Sequence, residues 1–151
     1  MTRSEQAEKN FREGYNCAQA VALAFSDLID MDKEALLRTA SGFGGGMGRL
    51  RETCGALTGA FLVLGYLKGY PTPETGDVKM NFYARVQSVG RAFEEKAGSM
   101  VCRELMGLTE KHQTPKPDAR TAEYYDKRPC PHLVVLAAEA LAEELKKDGI
   151  E

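Results

Sequence analysis

Apolar residues recur along this chain at a spacing close to 3.6, and strict alternation is almost absent. That period lines apolar side chains along one face of a helix, whereas alternation would mark strands. One stripe runs Cys17, Val21, Phe25 and Leu28, with Ala18, Ala22 and Ile29 beside it. Asp32 is placed to cap a short helix carrying Leu36, Leu37 and Ala40. Leu57, Phe61, Leu64 and Leu67 mark a third helix, which Ala60 and Val63 widen and so predict at the centre of the fold. Val78, Phe82, Val86, Val89, Phe93 and Ala97 form a long fourth stripe, and Val134, Ala137, Leu141 and Leu145 another. Glycine and proline break the pattern at 42–48, 69–73, Gly98-Ser99 and 115–131, and Gly42 is placed as a helix C-cap. The pattern predicts an all-α fold, a compact bundle of five to six helices.

Length and charge narrow the function classes. A chain of 151 residues suits a single domain, 1–151, able to bury a core. Twenty basic against 22 acidic residues, with no basic run, leave no footprint for nucleic acid. The first ten residues are polar, and the longest apolar run, 56–67, is far shorter than the roughly 20 residues of a bilayer span. No membrane insertion is expected, and the expected location is the cytoplasm, where thiols stay reduced.

That location gives the four cysteines their interest. In a reducing compartment, Cys17, Cys54, Cys102 and Cys130 are candidate redox thiols or metal ligands, against the plainer role of small buried core residues. Each falls near a predicted helix start. Asn16 is a good N-cap for a helix holding Cys17, and Cys54 follows the glycine-rich stretch with Glu52 and Thr53 in its first turn. Ser99 is placed to cap a segment with Cys102 at its third position, and Cys130 precedes Pro131, a residue favoured at helix starts. A helix N-terminus carries partial positive charge and unpaired N–H groups, which favour thiolate. The cysteines also sit on or beside the apolar stripes, so they are expected to converge where the helix starts meet. No Cys-x-x-Cys is present, so any site is assembled by the fold rather than by a local motif.

The glycine-rich stretch beside Cys54 lacks the phosphate-loop spacing and follows a predicted helix rather than a strand. Glycine-rich backbone also forms nests of inward N–H groups around anionic centres, iron–sulfur sites among them. Gly44, Gly45, Gly46, Gly48, Arg49 and Gly55 are therefore candidate supports of a thiol site, with Arg51 adding positive charge. Gly55 and Gly59, four apart on a helix, point to close approach of another backbone. His132 is a candidate for a supporting role behind the cysteines, against that of a polar first-turn residue. Tyr124 and Tyr125 are candidates to cover the site.

The segments Tyr15-Asn-Cys-Ala-Gln19, Cys54-Gly-Ala-Leu-Thr-Gly59, the stretch from Phe93 through Cys102 to Gly107, and Cys130-Pro-His-Leu-Val134 together resemble the C_GCAxxG_C_C family. The resemblance runs from about residue 13 to 144. It departs from the name literally, with Thr53 before Cys54 and Gly55 after it. It implies a small four-cysteine protein whose redox role is itself inferred from its cysteines. Related domains in split-Soret-type cytochromes imply an iron–sulfur site, while the lack of Cys-x-x-Cys-His here gives no expectation of covalent haem.

Three functions remain open on sequence. The first is an iron–sulfur protein for electron transfer or redox sensing. The second is metal-free thiol–disulfide chemistry. The third is a structural zinc site or interaction module. A redox partner protein is implied by the first, its identity not given by the sequence, and a homodimer is left open.

Overall fold

The computed structural model describes residues 1–73, 76–110 and 112–151. Among them the regular structure is helical, with α1 (Arg3–Arg12), α2 (Cys17–Ala24), α3 (Lys33–Ala40), α4 (Gly55–Lys68), α5 (Asp77–Ala97), α6 (Cys102–Leu105), α7 (Ala122–Lys127) and α8 (Cys130–Lys146). The all-α expectation holds, and the predicted five to six helices become eight. The two that periodicity did not mark are α1, whose composition is polar, and α7, which lies inside the stretch taken for a breaker. No described helix is long and apolar enough to cross a membrane.

α1 shows why polar composition misleads. Thr2 accepts a hydrogen bond from the Glu5 amide while the Glu5 carboxylate accepts from the Thr2 amide, which fixes the helix start from both sides. Only Ala7, Asn10 and Phe11 turn inward, against α2 and α8. The buried Asn10 is satisfied, donating to the Ala20 carbonyl at 3.0 Å and accepting from Gln6 at 2.8 Å.

α4 occupies the centre, between α2 and α8, as its broad apolar surface requires. Its glycines set that packing. A Cβ on Gly59 would stand 2.7 Å from the Ala18 carbonyl oxygen and 2.9 Å from its Cα, so only glycine lets α2 lie this close. The core is otherwise built from branched and aromatic residues: Val21, Leu57, Val63, Leu64, Val89, Phe93, Val134 and Leu141 are all fully buried.

α3 starts as expected, with Asp32 accepting from the Ala35 amide at 2.8 Å. Its end differs. The C-cap is Ser41, and Gly42 lies in a single 3-10 turn, Ser41–Phe43, that carries the chain on to the glycine-rich stretch. A left-handed glycine cap is unnecessary because the chain keeps turning in the same hand.

Candidate functional site

Each cysteine sits at or next to a helix start, and all four line one cavity of about 260 Å³. The starts differ in detail from those the sequence predicted. Cys17 opens α2 behind Asn16, whose side chain accepts from the Gln19 amide at 2.8 Å, as expected. The Asn16 amide group also donates to the Ser41 carbonyl and Gln19 donates to that of Leu37, which ties this helix start to the end of α3.

Cys54 is itself the N-cap residue of α4, so Glu52 and Thr53 lie before the helix rather than in its first turn. Cys102 is the first residue of α6, with Val101 as N-cap. Ser99 does not cap the helix but accepts from the Val101 amide and donates to Glu104. Both corrections have one cause. Residues 52–54 and 100–102 pair as a short antiparallel bridge, with the Cys54 amide donating to the Met100 carbonyl at 2.8 Å and the Cys102 amide to the Glu52 carbonyl at 2.6 Å. Extended pairing pulls both segments out of helix, with Cys54 opposite Met100 and Cys102 opposite Glu52, and both cysteines line the cavity. Cys130 opens α8 with Pro131 beside it in the first turn, where a missing N–H costs nothing.

The glycine-rich loop forms one wall. Gly45, Gly46, Met47, Gly48, Arg49 and Arg51 all have positive φ, between 59° and 71°. For the three that are not glycine this costs of order 1–3 kcal/mol each, so the surrounding structure must hold them there. It does so through the Arg51 amide on the Gly45 carbonyl, the Glu52 amide on the Gly46 carbonyl and the Gln113 amide on the Arg49 carbonyl.

Gly44, Gly45, Gly48, Arg49 and Gly55 line the cavity. Gly46 stands behind it, and a Cβ there would come within 2.5 Å of the Cys102 Cβ. On Gly55, a Cβ would lie 2.5 Å from both the Cys17 sulfur and the Phe43 carbonyl oxygen. His132 is exposed and is not among the lining residues, because the first turn of α8 turns Leu133, not His132, to the cavity.

The rest of the wall comes from far along the chain. Phe11, Met106, Pro115, Pro117, Asp118, Arg120, Tyr124, Arg128 and Leu133 complete it. Of these the sequence pointed only to Tyr124. It stacks near Phe11 and lies under the guanidinium groups of Arg120 and Arg128, each 4.8 Å from its ring centre. Tyr125 does not line the cavity; it packs edge-on against Tyr124. No local motif marks these residues: the fold of 113–128 over the glycine loop brings in those from 115 to 128, while Phe11 comes from α1, Met106 from the end of α6 and Leu133 from α8.

Burial dominates the electrostatics of the thiols. It raises the pKa of Cys54, where the neighbouring Cys17 adds to the effect and the Leu57 and Ala56 amides oppose it. It pushes Cys130 up to about 12, with Cys17 and Cys102 adding and Arg128 and Arg51 opposing. It raises Cys17 too, against the Gly45 amide. Cys17 thus acts on both Cys54 and Cys130, and Cys102 acts on Cys17, Cys54 and Cys130. The cations are also desolvated: burial lowers the pKa of Arg49 and Arg128, and the charge on Arg51 lowers both further. Four arginines, Arg49, Arg51, Arg120 and Arg128, line the cavity against one carboxylate, Asp118, which pairs with both Arg49 and Arg128. Among the described residues, no three or more His, Cys, Asp or Glu side chains stand as a group that could hold a metal ion.

A helical fold with four cysteines gathered from four helix starts around a cationic cavity is a thiol-site architecture. The chain belongs to the family described as "Putative redox-active protein (C_GCAxxG_C_C)", whose model matches residues 15–144. No curated protein and no solved structure matches it.

Proposed function

We propose that Cys17, Cys54, Cys102 and Cys130 together form one redox centre that holds an iron–sulfur cluster and serves in electron transfer or redox sensing. The observation that carries this reading is that four cysteines, distant in sequence, line a single cavity.

Three features favour a cluster over the alternatives. First, burial keeps three of the thiols protonated at neutral pH, and a protonated thiol is a poor nucleophile. That disfavours metal-free dithiol chemistry, while iron would displace the protons. Second, a single zinc ion with Zn–S bonds of about 2.3 Å draws its sulfurs to within roughly 4 Å of each other. Four thiols lining a cavity of about 260 Å³ leave room for a wider occupant. Third, four arginines against one aspartate leave a surplus of positive charge, which suits the net negative charge of iron, sulfide and four thiolates.

The four cysteines would hold the cluster, and when bound it would supply one-electron chemistry. The chain's own part is to exclude water with Phe11, Leu133 and Tyr124, to present backbone amides from the glycine loop, and to balance charge with arginine.

Alanine at each cysteine in turn tests the assignment. Every one of the four variants, reconstituted with iron and sulfide without oxygen, is expected to lose most of its bound iron and its visible absorption. Full loading in any variant removes that cysteine from the ligand set, and full loading in all four contradicts the reading.

A further inference from the structure

Arg51 stands apart from the other cations of the cavity. It is only 2% exposed, and among the described residues no carboxylate pairs with it. Its Nε donates to the Gln113 side chain at 2.9 Å and its Nη1 to the Cys102 sulfur at 3.5 Å. The backbone is held as firmly as the side chain. Its φ is 59°, and its carbonyl accepts from both the amide and the guanidinium of Arg103.

A buried unpaired charge and a left-handed non-glycine backbone are both unfavourable, and here they coincide on one residue aimed at one sulfur. Arg49 and Arg128 differ, since both share Asp118, and Arg120 spends its donors on the Phe11 and Tyr15 carbonyls and the Tyr125 hydroxyl. The charge that Asp118 does not offset is thus concentrated deepest beside Cys102.

We propose that Arg51 is a positioning residue that sets the reduction potential of the four-cysteine centre by holding its charge against the Cys102 sulfur. The proposal rests on the cluster reading above. The step concerned is the uptake of one electron from a donor, a redox protein in the cell or dithionite in a titration. No bond is made or broken in it, and the centre becomes more negative by one charge. A fixed cation at a ligand sulfur stabilises that reduced form more than the oxidised one, which raises the potential. Burial makes the effect large, because little water screens it. Gln113 is the part of the device that keeps the guanidinium in place.

The test is a potentiometric titration, followed by absorption and electron paramagnetic resonance, of the iron- and sulfide-reconstituted protein. Arg51→Gln is expected to move the midpoint to a more negative value. Arg51→Lys, which keeps the charge and loses the fork that reaches both Gln113 and Cys102, is expected to fall between Arg51→Gln and wild type. A merely structural role would change thermal stability and leave the midpoint in place. An unmoved midpoint in fully loaded Arg51→Gln overturns the proposal. Should that variant fail to fold or load, Gln113→Ala decides. It keeps the charge and removes its tether, a smaller negative shift is expected, and no shift overturns the proposal. Wild-type protein that takes up no iron and sulfide overturns the cluster reading and this proposal together. Loaded wild type with unmoved variants overturns the role of Arg51 alone.

Discussion

At the scale of the residue, the site depends on which glycines lack space for a methyl group. Gly55 and Gly65 lie on the same helix and differ sharply. A Cβ on Gly55 would meet the Cys17 sulfur and the Phe43 carbonyl oxygen at 2.5 Å, while on Gly65 the nearest outside atom is the tip of Phe82 at 3.9 Å. Gly55→Ala is therefore expected to destabilise the protein by about 1–3 kcal/mol and to displace Cys17. Gly65→Ala is expected to stabilise it by about 0.5–1 kcal/mol, through the helix propensity of alanine. Denaturant melts of both variants check this, and equal effects would mean that the close approach at Cys17 is not a constraint. The spacing of Gly55 and Gly59 was legible in the sequence as a sign of tight packing. That Gly55 touches a candidate ligand was not, because nothing local relates residue 17 to residue 55.

At the scale of the element, periodicity worked where a helix buries one full stripe and failed where the signal was diluted. α5 and α8 carry long stripes, and both appear close to where the pattern put them. α1 buries too few residues to show a stripe, yet the pair Thr2 and Glu5 three apart was a readable start signal. The starts at Cys54 and Cys102 were displaced by the 52–54 and 100–102 bridge, a pairing between segments far apart that cap rules cannot anticipate.

The junction of α5 and α8 also carries a pH dependence. Arg85 binds Glu144 at 2.8 Å and Asp148 at 2.5 Å. Burial alone would raise the Glu144 pKa, but hydrogen bonds from Lys147, Arg85 and Ser88 outweigh it and hold it low. Hydrogen bonding from Arg85 likewise lowers Asp148, and from Arg3 lowers Asp27. A carboxylate held below its unfolded pKa stabilises the fold above that pKa and loses the contribution as pH falls through its folded value. The melting temperature is thus expected to drop as pH falls below about 4, and Glu144→Gln to flatten part of that drop. A wild-type melting temperature constant down to pH 2 would contradict the assignment.

At the scale of the whole molecule, the arrangement is a set of helix starts turned toward one cavity, closed by a loop that backbone conformation and arginine make cationic. Four cysteines on apolar stripes near helix starts were enough to anticipate that they would converge. The opposite wall, with Arg120, Arg128 and Asp118, was not legible, since those residues sit in a stretch with no periodicity and reach the site only through the fold.

The central claim is that the cavity holds a cluster rather than free thiols or one zinc ion. The most direct measurement is visible absorption of protein purified without oxygen, with iron, zinc and acid-labile sulfide counted on the same sample. The expected result is brown protein with iron and sulfide in cluster stoichiometry. Colourless protein carrying only zinc, or four free thiols and no metal, would contradict the account.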